Sequence, residues 1–207
     1  AVVPAFRVLI DADDVILAAR LVLPLMLYIG NVEPEVIHPV IERMLASDNA
    51  EAREAGGQLA AYAALEWERA ELMSRAMAAG DEARVGIARI CAARFDRTSK
   101  PELAQETLLA LMDDDHDKTR EAVAQVAPNL RDQALRPFEA LLKALIASKA
   151  YDEATPQLLL TLQHALDKVD ELVLLAAQRF LAVFGSEAGD IRTGASGDAH
   201  YISELVV

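Results

Sequence analysis

Two pairs of residues have the spacing from which helical proteins build metal centres: Glu35 with His38, a Glu-x-x-His pair, and Asp113 with His116, which imitates it with a shorter carboxylate. About one helical turn separates the members of each pair, so both side chains leave one face and can reach one ion. A di-iron centre also needs carboxylates from two further helices, and the sequence offers no obvious candidates for them. Asp113 and His116 fall in a polar turn, where solvation and a helix start account for them. The acidic run Asp113, Asp114, Asp115 and Asp117 invites comparison with a calcium loop. Such a loop demands glycine at its sixth position and glutamate at its twelfth, where this chain has Lys118 and Ala124. Capping of the following helix by these aspartates is the simpler reading. No metal and no cofactor are expected.

Nucleotide binding would need a glycine-rich loop closed by Gly-Lys-Ser/Thr, so that amides and a lysine cradle the phosphates. No such string occurs, and the most glycine-rich stretch, Gly185 to Gly197, contains no lysine. Neither a Gly-x-Ser-x-Gly elbow nor a His-Glu-x-x-His helix is present, and Cys91 has no visible histidine partner. Cys91 instead sits in an apolar helical stretch, "ARICAARF", and reads as a buried, inert thiol in a reducing compartment. His164 reads as a boundary histidine on a helix. Tyr62 and Trp67 could anchor a partner, although burial tendencies favour packing between repeats. The chain is therefore expected to carry no catalytic residue.

Composition narrows the partners. With 53% apolar residues the 207-residue chain can bury a sizeable core, while an aromatic content of 5% and an abundance of alanine and leucine favour closely packed helices. A formal charge of −13 repels phosphate backbones and anionic membrane surfaces, and no local cluster of lysine and arginine offsets it. The most apolar run, Val15 to Ile29, is interrupted by Arg20 and Pro24 and is short for a bilayer. No secretory pattern opens the sequence, so a cytoplasmic location is expected, with a protein partner and neither nucleic acid nor membrane. Both ends read as cuts in a longer polypeptide.

The elements that position these residues come from an internal repeat. Residues 34–65 lie over residues 101–130 without a gap at a constant offset of 67, pairing Pro34 with Pro101, Ile41 with Leu108, Asp48 with Asp115, Arg53 with Arg120 and Gln58 with Gln125. Each copy opens on proline and glutamate, continues with apolar residues at helical spacing, passes a polar turn ("ASDNAE" or "DDDHDK") and enters a second helix around Arg53 or Arg120. An offset of 67 suits two units of thirty-odd residues. The unit between turns at Gly80 to Glu82, and its Arg84 takes the place of Arg53 and Arg120. Similar reading elsewhere divides one helical-repeat domain, 1–207, into hairpins at about 1–30, 31–65, 66–98, 99–130, 131–167 and, in part, 168–207. In the fifth hairpin, Ala134 to Ser148 and Pro156 to Leu166 are the helices and "KAYDEAT" the turn.

The strings "LASDNAEAREAGGQL" and "LMDDDHDKTREAVAQV" resemble the HEAT-repeat pattern of leucines, an Asp-containing turn, arginine and an alanine-rich helix. Where that family usually has valine before the arginine, this chain has Ala52, Ala83 and Thr119. The resemblance implies an all-α, right-handed α-solenoid of stacked antiparallel helical hairpins, working as a protein-interaction scaffold. More specifically, the alanine-rich repeats and "FGSEAGDIRTGASGDA" resemble the carboxy-terminal sensor regions of bacterial STAND-type NTPases of antiphage defence. That similarity implies an ATPase module outside this chain. The alternatives are a HEAT-like nucleic-acid repair enzyme, which needs a basic stripe, and a purely structural spacer. Within the scaffold reading, Asp48, Arg53, Arg84, Asp115 and Arg120 are structural repeat positions. Each arginine contact, being partly exposed, is worth no more than about 1 kcal/mol. The glycine-rich loop, through Ser186, Asp190, Arg192, Ser196 and Asp198, is a partner-binding candidate.

Overall fold

The computed structural model describes residues 20–21 and 34–184; these are all-helical apart from turns, with no strand among them. The chain divides into two compact units, Ala1–Leu108 and Leu109–Val207.

In the first unit, helix α1 (Pro34–Leu45) pairs with α2 (Ala50–Glu66), and α3 (Ala70–Ala78) with α4 (Asp81–Arg94); of α5 (Pro101–Leu111), the residues to Leu108 belong to this unit. Proline occupies the first position of α1 and of α5, where its missing donor costs nothing. Asn49 caps α2, its Oδ1 accepting from the Ala52 amide at 3.0 Å. That cap moves the start of α2 to Ala50, ahead of the position around Arg53 that periodicity suggests, and leaves Arg53 in the opening turns. Gly80 begins α4 at φ 120°, backbone that L side chains rarely adopt.

α2 is the centre of this unit. It touches α1, α3 and α4, and is buried from Ala52 to Leu65 on nearly every side, so it lacks the polar stripe of a surface helix. Ile37, Ile41 and Met44 of α1, Leu72 of α3, and Ile87 and Cys91 of α4 complete the core. The α2–α4 crossing is close enough to exclude side chains: a Cβ on Gly57 would collide with the carbonyl oxygen of Ala83, and one on Gly86 with that of Glu54. Two glycines, each facing the other helix's backbone, let the two second helices approach.

In the second unit, α6 (Asp117–Ala124) runs into the single turn α7 (Val126–Asn129); a 3₁₀ turn (Arg136–Phe138) leads to α8 (Glu139–Ala147), then α9 (Tyr151–His164) and α10 (Asp170–Phe184). α9 packs on α6, α7, α8 and α10. Pro128 explains the break after α6, since it has no N–H to give to the Ala124 carbonyl. In the fifth hairpin the helices differ from the sequence expectation. α9 begins at Tyr151, so most of "KAYDEAT" is helix and Pro156 lies inside it, while Pro137 delays α8 to Glu139 through the 3₁₀ turn. The early start follows from Asp152 and Glu153 in the first turn, favourable at a helix N-terminus, and from Tyr151, a fully buried ring whose hydroxyl donates to the Ala176 carbonyl at 2.9 Å.

All six sequence-assigned core positions, Ile41, Met44, Leu45, Leu108, Leu111 and Met112, are buried. Leu108→Ala should cost about 2–5 kcal/mol in urea unfolding, whereas truncating its exposed neighbour Leu109 should cost under about 0.5 kcal/mol. Gly57→Ala provides a sharper check. An alanine in mid-helix ordinarily gains about 1 kcal/mol over glycine, yet here it should lose about 1–3 kcal/mol because the backbones must part. A more stable Gly57→Ala chain would overturn the close crossing.

Candidate interaction surface

The repeat arginines do the same work in both units. Arg53 Nη1 donates to the Ser47 carbonyl at 2.8 Å, six residues back across its own turn, and Nε donates to Glu82 at 3.1 Å in the first turn of α4. Arg120 Nη1 donates to the Asp114 carbonyl at 2.8 Å, again six residues back, and to that of Asp115 at 3.2 Å. Its Nε reaches Glu153 at 3.1 Å in the first turn of α9, and Nη2 reaches Asp117 at 2.6 Å. Each guanidinium thus pins its own hairpin turn and grips the second helix of the next hairpin. Arg20 makes a two-pronged bond of the second kind to Glu51 of α2, at 2.6 and 2.9 Å. Arg84 bonds Asp81, three residues earlier, at 2.5 Å.

The turn carboxylates behave differently from expectation. Asp48 is exposed and is not brought to Arg53, which binds the Ser47 carbonyl instead. Nor do the aspartates cap α6, whose N-cap is His116 without a side-chain bond to the orphan amides. They are turned toward the neighbouring turn: Asp113 accepts from the Lys149 amide and Asp115 from Lys149 Nζ, both at 2.8 Å, while Asp114 accepts from the His116 amide. The Lys149 bond holds the Asp115 carboxyl below its ordinary range and raises the Lys149 ammonium in turn. Burial works against the Arg120 charge, but its bonds to Asp117 and Glu153 outweigh that and raise its pKa.

Asp167, which the sequence reading passed over, plays the corresponding part at the other end of the hairpins. Its two oxygens accept the amides of Leu135 and Arg136, at 2.5 and 3.1 Å, fastening the 3₁₀ turn to the corner before α10. The Leu135 amide is the main cause of its lowered pKa. The missed partners share one signal. Glu51, Glu82 and Glu153 each precede alanine at the start of a second helix, in "AEAR", "DEAR" and "DEAT", and the arginine that grips them lies about one repeat earlier.

Other candidates are absorbed by packing. Tyr62 and Trp67 are buried and meet edge to face at 5.5 Å, and Arg94, paired with Glu66, lies 5.0 Å over the Tyr62 ring. Cys91 is wholly buried, which pushes its thiol up to about 12. His38 Nε2 is 3.7 Å from Glu71, while the side chain of Glu35 lies outside the described residues. His164 is exposed at the end of α9. The loop residues Ser186, Asp190, Arg192, Ser196 and Asp198 also lie outside the described residues. Among the described residues, no three His, Cys, Asp or Glu side chains gather where they could hold a metal ion, and no helix is long and apolar enough to cross a membrane. No protein-family model, curated protein or solved structure matches the chain.

The Arg120 side chain is only 16% exposed and Glu153 21%, so the limit set by exposed ion pairs is too low for this pair. Arg120→Ala should cost about 1–3 kcal/mol, because the Asp114 carbonyl and the Glu153 carboxylate, both part-buried, lose a charged donor together. Asp167→Ala tests the second fastening through pH. Its native pKa lies below the ordinary 3.8, so its bonds stabilise the fold above that value and are lost as the pH falls through the lower native one. The melting temperature of Asp167→Ala should fall short of the parent's at neutral pH, and the gap should close in acid below the ordinary aspartate range. A gap independent of pH would mean that the carboxylate is not the fastening group.

Proposed function

We propose that the chain is a right-handed α-solenoid of HEAT-like helical hairpins that serves as a protein-interaction scaffold and carries no catalytic centre. The observation that carries this reading is the recurrent arginine. In each unit it holds its own turn by a carbonyl six residues back and the next hairpin by a glutamate about one repeat ahead, 29 residues on for Arg53 and 33 for Arg120. Links at similar separations recur. The Thr98 and Ser99 hydroxyls donate to the Leu65 carbonyl, the Thr161 hydroxyl to that of Ala127, and the Leu166 amide to that of Gln133. Local hairpins joined at a fixed separation are the economy of a repeat protein, in which each unit needs mainly its neighbours and the product is surface.

The resemblance to the sensor regions of STAND-type NTPases extends the proposal: the chain would detect a protein and relay its capture to a nucleotide-driven switch outside this sequence. A cytoplasmic setting suits the lone, buried Cys91. The negative charge, −13 over the chain, favours a basic partner and disfavours duplex DNA.

Three measurements on the purified chain decide the reading. It should turn over no ATP, leave duplex DNA unretarded at physiological salt, and bind its protein partner with an association rate that falls as salt rises. Tight DNA binding would move the assignment to a repair enzyme, and measurable nucleotide turnover would end the non-catalytic reading.

A further inference from the structure

We propose that the cleft where α9 gives way to α10 is a pocket for a lysine side chain of a protein partner, a proposal that rests on the scaffold reading and names what the scaffold would grip. The cleft lies wholly within the second unit and has a volume of about 140 Å³. Its wall is aliphatic, built by Leu135, Leu162, Val169 and Val173, and its rim is polar, with the carboxylates of Asp167 and Asp170. A lysine presents the matching pair of chemistries, a hydrocarbon stem for the wall and an ammonium for the rim.

Charge selects the occupant. Asp167 is kept ionised by the two amides it accepts, and each of its oxygens retains a lone pair. Asp170 makes no ion pair among the described residues. The amide of Leu166, which at many helix ends would turn back onto the last carbonyls, donates instead to Gln133 at 3.0 Å. The carbonyl end of α9, whose dipole is negative, reaches the cleft through Leu162. Opposite it, the positive end of α10 is offset by Asp170 and Glu171 in its first turn. Two cations compete with an occupant, Lys168 in the lining and Arg136, whose charge acts on Asp167 from beside it, and Lys168 is the one that can be removed without touching the 3₁₀ turn.

The experiment titrates N-acetyl-lysine amide into the full 207-residue chain and follows the methyl resonances of Leu162, Val169 and Val173, with N-acetyl-norleucine amide and N-acetyl-glutamate amide as comparators. The lysine probe should move these methyls saturably and bind more tightly than either comparator. Asp170→Asn should weaken it about two- to fivefold, the range for an ion pair at a partly exposed rim, and Lys168→Ala should strengthen it. Unmoved methyls would overturn the pocket, and so would norleucine binding as well as lysine with indifference to Asp170→Asn. Either failure leaves the scaffold reading intact, because that reading stands or falls on nucleotide turnover and DNA retardation.

Discussion

The structure depends on a charged group doing two jobs at once. A guanidinium has five donors in a fixed plane, enough to satisfy backbone carbonyls on one side and a carboxylate on the other. Arg53 and Arg120 use that geometry to close a turn whose carbonyls would otherwise be orphaned, and to set the register of the next second helix. Lysine could not replace them, since a point charge on a flexible stem cannot hold two directions together. The bond to the turn is local and cheap in entropy. The bond to the next hairpin becomes cheap only because the first already fixes the side chain.

Once the register is set, the packing of the first unit follows from small residues. A second helix surrounded by three others has little room for bulk, and α2 accordingly reads "AEAREAGGQLAAYAALE". Alanine gives helix propensity without volume, and Gly57 with Gly86 gives up propensity for approach. Larger side chains fill the core from both kinds of helix, with Met44 and Leu72 on first helices, Leu59 and Leu65 on α2, Ile87 on α4 and Phe95 just after α4.

The helices were legible because two independent signals, the 67-residue self-similarity and the apolar spacing, named the same residues. Ile41 and Leu108 occupy equivalent places and are both fully buried. Helix starts were less legible because they depend on one cap or one proline: Asn49 advances α2, and Pro156 suggested a boundary that the acidic first turn of α9 overrides. The sequence marks the arginines by their equivalent places in the repeat, but it does not mark their partners. A contact between hairpins joins residues about thirty apart, and a single sequence supplies no reason to choose Glu82 or Glu153 over other carboxylates until the repeat register is trusted. The third copy shows how loose that pattern is, with Lys118 standing where Glu51 and Glu82 stand in theirs.

The same internal bonds decide what the outside can attract. Arg20, Arg53, Arg75, Arg89, Arg94 and Arg120 each spend their charge on a carboxylate of this chain. Much of the positive charge is thereby taken up in holding hairpins together, and among the described residues Asp48, Glu102, Glu106, Glu121 and Asp152, against Lys118 and Lys168, remain unpaired. Paired charges largely cancel beyond a few ångströms, so the field that reaches solvent belongs to the unpaired ones and is negative. Salt at physiological strength confines that field to about 8 Å, which is too short to gather a distant partner but long enough to orient one on contact. In the proposed scaffold this field would act by repulsion first, against nucleic acid and anionic lipid, and affinity would rest on whatever shaped, partly apolar surface the hairpins present.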